Sequence, residues 1–365
     1  MDFYESESDF IVGKRGRLPR YLVCSMQGYF PVLAKTGPNS LAAIFRTGGP
    51  HMGTSATLAV AFSQNGGISW SDPKEITPRW QDARNPALGV NAKGHLIAAY
   101  CKAIAFYDKN ELEKGRAAWT GKADSVSVFC RISRDGGNTW GAEIPIAANA
   151  PGFKMYCPYG RIISDPEGVV MYMSVYGSSE TSDTDNVAYM LHSYDGGESW
   201  GDESAFPLGF NETSYVFTKS GDMVAAARSG AGAVHVAKSS DRGKSWSEPV
   251  QVTRAGEHPA DLCELESGKL FMTYGRRIRP MGCGALVSHD GGESWDHEHE
   301  ILLAGDGVLN GDLGYPSTVQ LGDGSINTAL YFASGSEPSL GLCGSYGWGD
   351  VSCQLIKYTE SDIVI

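Results

Sequence analysis

At 365 residues, 42% of them hydrophobic, the chain can bury a large core as a single domain spanning residues 1–365. A formal net charge of −12 argues against nucleic acid or an anionic membrane surface as partner, and no apolar run reaches the roughly 18 residues of a membrane-spanning helix. The first twenty residues, MDFYESESDFIVGKRGRLPR, lack the apolar centre of an export signal, so the chain reads as cytoplasmic, or as secreted or periplasmic if a leader has been trimmed.

The 46 glycines and 10% aromatic residues fit many short strands joined by tight turns. In chain order, six segments read as an apolar strand, a polar turn containing Gly and a second apolar strand. They are residues 30–46, 85–100, 157–176, 212–228, 258–277 and 315–331. Between them an octet recurs five times: residues 63–70 (SQNGGISW), 133–140 (SRDGGNTW), 193–200 (SYDGGESW), 239–246 (SSDRGKSW) and 288–295 (SHDGGESW). Its Asp or Asn is expected to bond backbone amides two residues on, its glycines to supply positive φ, and its Trp to pack on a neighbour. Each octet is then a second hairpin turn, and two hairpins make a four-stranded antiparallel sheet. About six such sheets arranged radially make an all-β, six-bladed β-propeller.

Residues 102–124 read as an insertion between strands. The sixth unit has no octet, so a segment at residues 10–12 or 21–25 is expected to add its missing strand and close the ring. Eight cysteines (Cys24, Cys101, Cys130, Cys157, Cys263, Cys283, Cys343 and Cys353) show no CxxC pair, so they read as buried free thiols and no metal or cofactor is expected.

In such a meander the octets and glycine turns share one face. The starts of the first strands and the ends of the second strands share the other. The starts are Phe30, Asn85, Cys157, Glu212, His258 and Tyr315; the ends add Arg46, Tyr100, Tyr176, Arg228, Arg276, Arg277 and Tyr331. Arginines converging in an acidic protein point to a bound carboxylate, because a guanidinium pairs with it bidentately. A tyrosine near a carboxylate that takes its proton is a usable nucleophile.

The octets, with residues 211–229 (NETSYVFTKSGDMVAAARS), 258–277 (HPADLCELESGKLFMTYGRR) and 311–326 (GDLGYPSTVQLGDGSI), resemble the sialidase (neuraminidase) superfamily of BNR, or Asp-box, repeat proteins over almost the whole chain. The resemblance implies Tyr315 as nucleophile, Glu212 as its base, and Arg228 with Arg276 or Arg277 on a substrate carboxylate. The chain departs from it twice. The family's Arg-Ile-Pro reads Tyr29-Phe30-Pro31 here, so its first arginine is missing, with Arg46 as a partial substitute, and the loop TGGPHMGTSAT lacks the family's acid/base Asp but holds His51. The proton donor is therefore His51 or Asp82. Arg84, His258, Tyr159 and Arg161 are further candidates to line the pocket.

The function expected is an exo-acting, retaining glycoside hydrolase on a terminal, acidic sugar, with a glycan or small acidic sugar as its ligand and the oligomeric state left open. A carbohydrate-binding propeller without turnover and a polysaccharide lyase are the alternatives.

Overall fold

Alternating apolar runs and glycine turns give 24 strands in the computed structural model, which describes residues 18–25, 27–49, 51, 56–78, 82–102, 127–146, 153–179, 182–307, 311–333 and 351–363. One four-stranded sheet holds β2 (Tyr29–Gly37), β3 (Ser40–Thr47), β4 (Thr57–Ser63) and β5 (Lys74–Glu75) in that order. A second holds β14 (Phe210–Phe217), β15 (Met223–Ser229), β16 (Val234–Ser239) and β17 (Val250–Gln251). A third holds β18 (Glu257–Glu264), β19 (Leu270–Arg276), β20 (Gly282–Ser288) and β21 (Ile301–Ala304). In the fourth, β22 (Gly314–Gln320), β23 (Ile326–Ala333) and β24 (Val351–Tyr358) are joined by β1 (Arg20–Cys24), which pairs antiparallel with β24.

The six separate blades expected from the repeat are not what forms. The remaining strands make one eight-stranded sheet from β6 (Ala83–Val90), β7 (Leu96–Lys102), β8 (Ser127–Ser133), β9 (Ile144–Ile146), β10 (Phe153–Ser164), β11 (Met171–Ser179), β12 (Ser182–Ser193) and β13 (Gly201–Ala205). Its two halves join where β6 and β10 run parallel, with Gly160 opposite Ala87 and Arg161 opposite Leu88. The physical reason is Gly89: a Cβ there would lie 2.5 Å from the Ile162 carbonyl oxygen, so its absence lets the two backbones pair. The fold is thus all-β and propeller-like, with four separate four-stranded blades and not six. The expected insertion at 102–124 falls almost entirely outside the described residues, as do the alternative closing segment at 10–12 and Cys343.

Both faces of the blades are buried, so the strands read as nearly continuous apolar runs. On β3, Leu41, Ala43 and Phe45 pack with Val319, Ala329 and Leu355 of the fourth sheet, while Ala42 and Ile44 pack with Leu88, Leu96 and Ala98 of the eight-stranded one. The octets fasten these layers. In the copy at 193–200 the Ser193 hydroxyl accepts from the Gly197 amide at 2.8 Å, and Asp195 Oδ1 accepts from the Ser199 amide at 2.9 Å. The carboxylate therefore reaches four residues on, not the two expected. Gly137 shows why its position must be glycine: φ is 90°, and a Cβ would fall 2.0 Å from the Phe62 ring of the preceding sheet. In the first octet a Cβ on Gly67 would meet Leu355 of β24 at 2.2 Å, which links the first sheet to the last. The seven described cysteines are buried. Among the described residues, no helix is long and apolar enough to cross a membrane.

Candidate functional site

Five of the six first strands contain an X-Pro dipeptide near the start: Phe30-Pro31, Asn85-Pro86, Cys157-Pro158, His258-Pro259 and Tyr315-Pro316. Proline has no amide hydrogen for the ladder, so pairing slips there and the strand bulges. The register shifts between Tyr29 and Val32, Arg84 and Ala87, Glu257 and Ala260, and Gly314 and Ser317. β14 has no proline at this point, but it shifts between Phe210 and Thr213. Phe30, Asn85 and Tyr315 are held at φ of 54°, 46° and 49°, conformations that side chains other than glycine seldom adopt. Bulges re-aim side chains, and here they turn residues from distant parts of the chain toward one small cavity of about 20 Å³ lined by Phe30, Asn85, Tyr159, Asp261 and Tyr315.

From the cavity wall the Tyr315 hydroxyl donates to Glu212 Oε1 at 2.5 Å, and Arg228 Nη1 donates to Glu212 Oε2 at 2.7 Å. Glu212 and Tyr315 are buried, and Arg228 is half-buried. Burial raises the Tyr315 phenol and the Glu212 carboxylate raises it further, while Arg228 and Arg277 pull the other way. The net shift is upward, so the resting phenol keeps its proton. Burial works against the Arg228 charge, but Glu212 outweighs it and holds the guanidinium protonated. Arg277 lies 5.8 Å from the Tyr315 ring centroid, a cation–π distance, and forms no ion pair among the described residues.

Between these arginines sits His258, buried at 6% exposure. Burial first, then Arg228 and Arg277, push its imidazole down to about 3, so at neutral pH it is uncharged. The unfolded chain, with a histidine near 6.5, binds a proton across a window in which the folded chain does not. Stability is thus fully present above the unfolded value and lost as pH falls toward 3. His258→Gln is expected to remove roughly 2–4 kcal/mol of acid destabilisation between about pH 6.5 and 3. Urea unfolding at several pH values measures it, and unchanged slopes refute it.

The other expected site residues divide. Tyr159 is at the mouth, its hydroxyl donating to the Ala260 carbonyl at 2.9 Å and its ring 6.2 Å from Tyr315. Arg161 is drawn to Asp261, whose other bonds come from the Ser214 hydroxyl and the Thr318 amide. This stitches the strands behind the cavity. His51 is placed with its Nδ1 2.7 Å from Asp312.

Three expectations need correcting. Arg46 and Asp82 are not at the mouth: both are 0% exposed and ion-paired at 2.6 Å, with Arg84 closing on the other Asp82 oxygen. Burial alone would raise the Asp82 carboxyl, but Arg46 and Arg84 win and hold it below its ordinary value, so it has no proton to give near neutrality. Arg276 turns away: its Nη1 donates to the Ile278 and Pro280 carbonyls at 2.9 and 2.8 Å, and its Nε lies 3.3 Å from Glu257. Of the adjacent arginines, Arg277 is the one against Tyr315.

Sequence reasoning missed Asp312, which stands three residues before Tyr315, and Tyr29, which joins the expected Phe30 and Tyr331 in an aromatic wall around Tyr315. The glycine-bounded GDLGY segment marked that stretch, but nothing local tied Asp312 to His51, 261 positions away. No group of three or more His, Cys, Asp or Glu side chains able to hold a metal occurs among the described residues.

A family model described as a BNR repeat-like domain matches residues 41–328. No curated protein matches the chain. Among solved structures, a Dyadobacter fermentans protein of unknown function superposes with a TM-score of 0.76 at 21% identity, covering 93% of this chain and 98% of that one. Hadza microbial sialidase Hz136 gives 0.69 at 17% identity, over 93% and 67% of the two chains. The NanB sialidase of Streptococcus pneumoniae gives 0.67 at 14%, over 93% and 70%. At these identities the structural likeness establishes the fold alone.

Proposed function

The chain belongs to the BNR repeat-like family of the sialidase superfamily, and on that premise we propose that it is a retaining exo-glycoside hydrolase acting on a terminal acidic sugar. The observation that carries the reading is the buried chain Tyr315–Glu212–Arg228, with hydrogen bonds of 2.5 and 2.7 Å. Tyr315 attacks the anomeric carbon while Glu212 takes the phenol proton. Because the resting phenol is neutral, charge develops on its oxygen only as the bond forms, beside Arg228 and under Arg277.

Charge balance supports an acidic substrate. Arg228 pairs with Glu212, Arg277 stands over the Tyr315 ring with no ion pair among the described residues, and His258 near both is uncharged. One positive charge is left over, which a single substrate carboxylate neutralises. The family's first arginine is missing, with Tyr29 at its place, so this acid group meets two guanidinium groups and no third. That favours a sugar acid other than sialic acid.

The test is a panel of aryl glycosides of sialic, uronic and neutral sugars. Release of a reducing sugar from an acidic member, with the anomeric configuration retained by NMR, is expected. Binding without release would replace hydrolase with lectin, and an ultraviolet-absorbing product would replace it with lyase.

A further inference from the structure

Hydrolysis needs a group to protonate the departing oxygen, and Asp82 is excluded by its burial between Arg46 and Arg84. We propose that His51 is that proton donor and that Asp312 is its positioning residue, an inference that rests on the hydrolase reading. Asp312 Oδ1 lies 2.7 Å from His51 Nδ1 and accepts the Tyr331 hydroxyl at 2.7 Å, so the carboxylate is pinned from two sides at 8% exposure. The His51 ring stands edge-on to Phe30 at 4.7 Å and to Tyr29 at 5.7 Å. Phe30 in turn stands edge-on to Tyr315 at 4.8 Å. One aromatic ring therefore separates the imidazole from the nucleophile. Asp312 enters β22 just ahead of Tyr315, so one short segment carries both the nucleophile and the group that orients the acid.

An imidazole whose Nδ1–H is held by a carboxylate presents its Nε2 in a fixed direction and is stabilised when protonated. In the first step Tyr315 Oη bonds the anomeric carbon as the bond to the aglycone oxygen breaks. That oxygen leaves with the electron pair and takes a proton from protonated His51, while Glu212 receives the phenol proton. In the second step a water oxygen bonds the anomeric carbon and gives its proton to neutral His51. The carbon–Tyr315 bond breaks and Glu212 returns the phenol proton. One water is consumed and every residue is restored. Among the described residues, the groups against His51 include Asp312 from the β22 approach, Tyr331 from β23 through Asp312, and Tyr29 from β2.

The test uses phenyl and 2,4-dinitrophenyl glycosides of whichever sugar the wild type cleaves best. A phenolate leaves slowly unless protonated, whereas dinitrophenolate needs no proton. His51→Ala is expected to lose about 10²–10⁴-fold in kcat/KM on the phenyl glycoside and less than about tenfold on the dinitrophenyl one. Asp312→Asn should show the same ordering with smaller losses, and His51→Gln should repeat the His51→Ala result if that variant folds poorly. Equal losses on both substrates overturn the assignment. A wild type inert toward every glycoside overturns the hydrolase reading itself, and with it this one, before any variant is made.

Discussion

Tyr315→Phe is expected to lose about 10³–10⁵-fold in kcat on the best aryl glycoside, with little change in KM. The phenylalanine ring keeps its packing, since Tyr315 touches Phe30 at 4.8 Å and Tyr331 at 5.8 Å through ring atoms alone. Arg277 also keeps a ring face beneath it. What disappears is the nucleophilic oxygen and its bond to Glu212, which retains Arg228 as a partner. The stability cost should therefore stay near 1–2 kcal/mol, the penalty for one lost buried hydrogen bond. Steady-state kinetics with a thermal melt separates the two effects. A variant with undiminished turnover would remove Tyr315 from the mechanism.

The largest stability effect belongs to Asp82→Ala. The substitution leaves the Arg46 and Arg84 guanidinium groups buried side by side without the carboxylate between them. Breaking a buried ion pair by removing one partner costs about 3–5 kcal/mol. Urea unfolding should show a lower midpoint with an unchanged slope. The same cluster adds to acid sensitivity. With the Asp82 carboxyl held down, its contribution is present above the ordinary carboxylate value and lost as pH falls through the folded one. A loss under 1 kcal/mol would mean that the guanidinium charges find other counterions.

The strands and octets were legible because their signals are local: alternation, glycine turns and a repeated eight-residue text. Glu212 and Tyr315 were legible as partners because both start strands whose register could be counted, and they meet across 103 positions. The choice between Arg276 and Arg277 was half legible. Alternation puts them on opposite faces, but only the packing of β19 against Glu257 and the Ile278 and Pro280 carbonyls says which face is which. Arg46 and Asp82 misled because counting along a strand gives height and not depth. The fusion of two units into one sheet depends on the contact of Gly89 with Ile162, a match between strands far apart in the text. Asp312 was invisible for the same reason, since its meaning lies in His51.

The sheet that carries Tyr315 is also the one assembled from both ends of the polypeptide, with β1 lying against β24. A ribosome therefore releases Glu212, Arg228 and Arg277 while the sheet of Tyr315 still waits for residues 351–358. The bond between Tyr315 and Glu212 is thus expected only once the last strand is made, and a prematurely stopped chain should lack it. The long-range closure that makes this so also sets a slow folding step, because its loop entropy is spent before its contacts form.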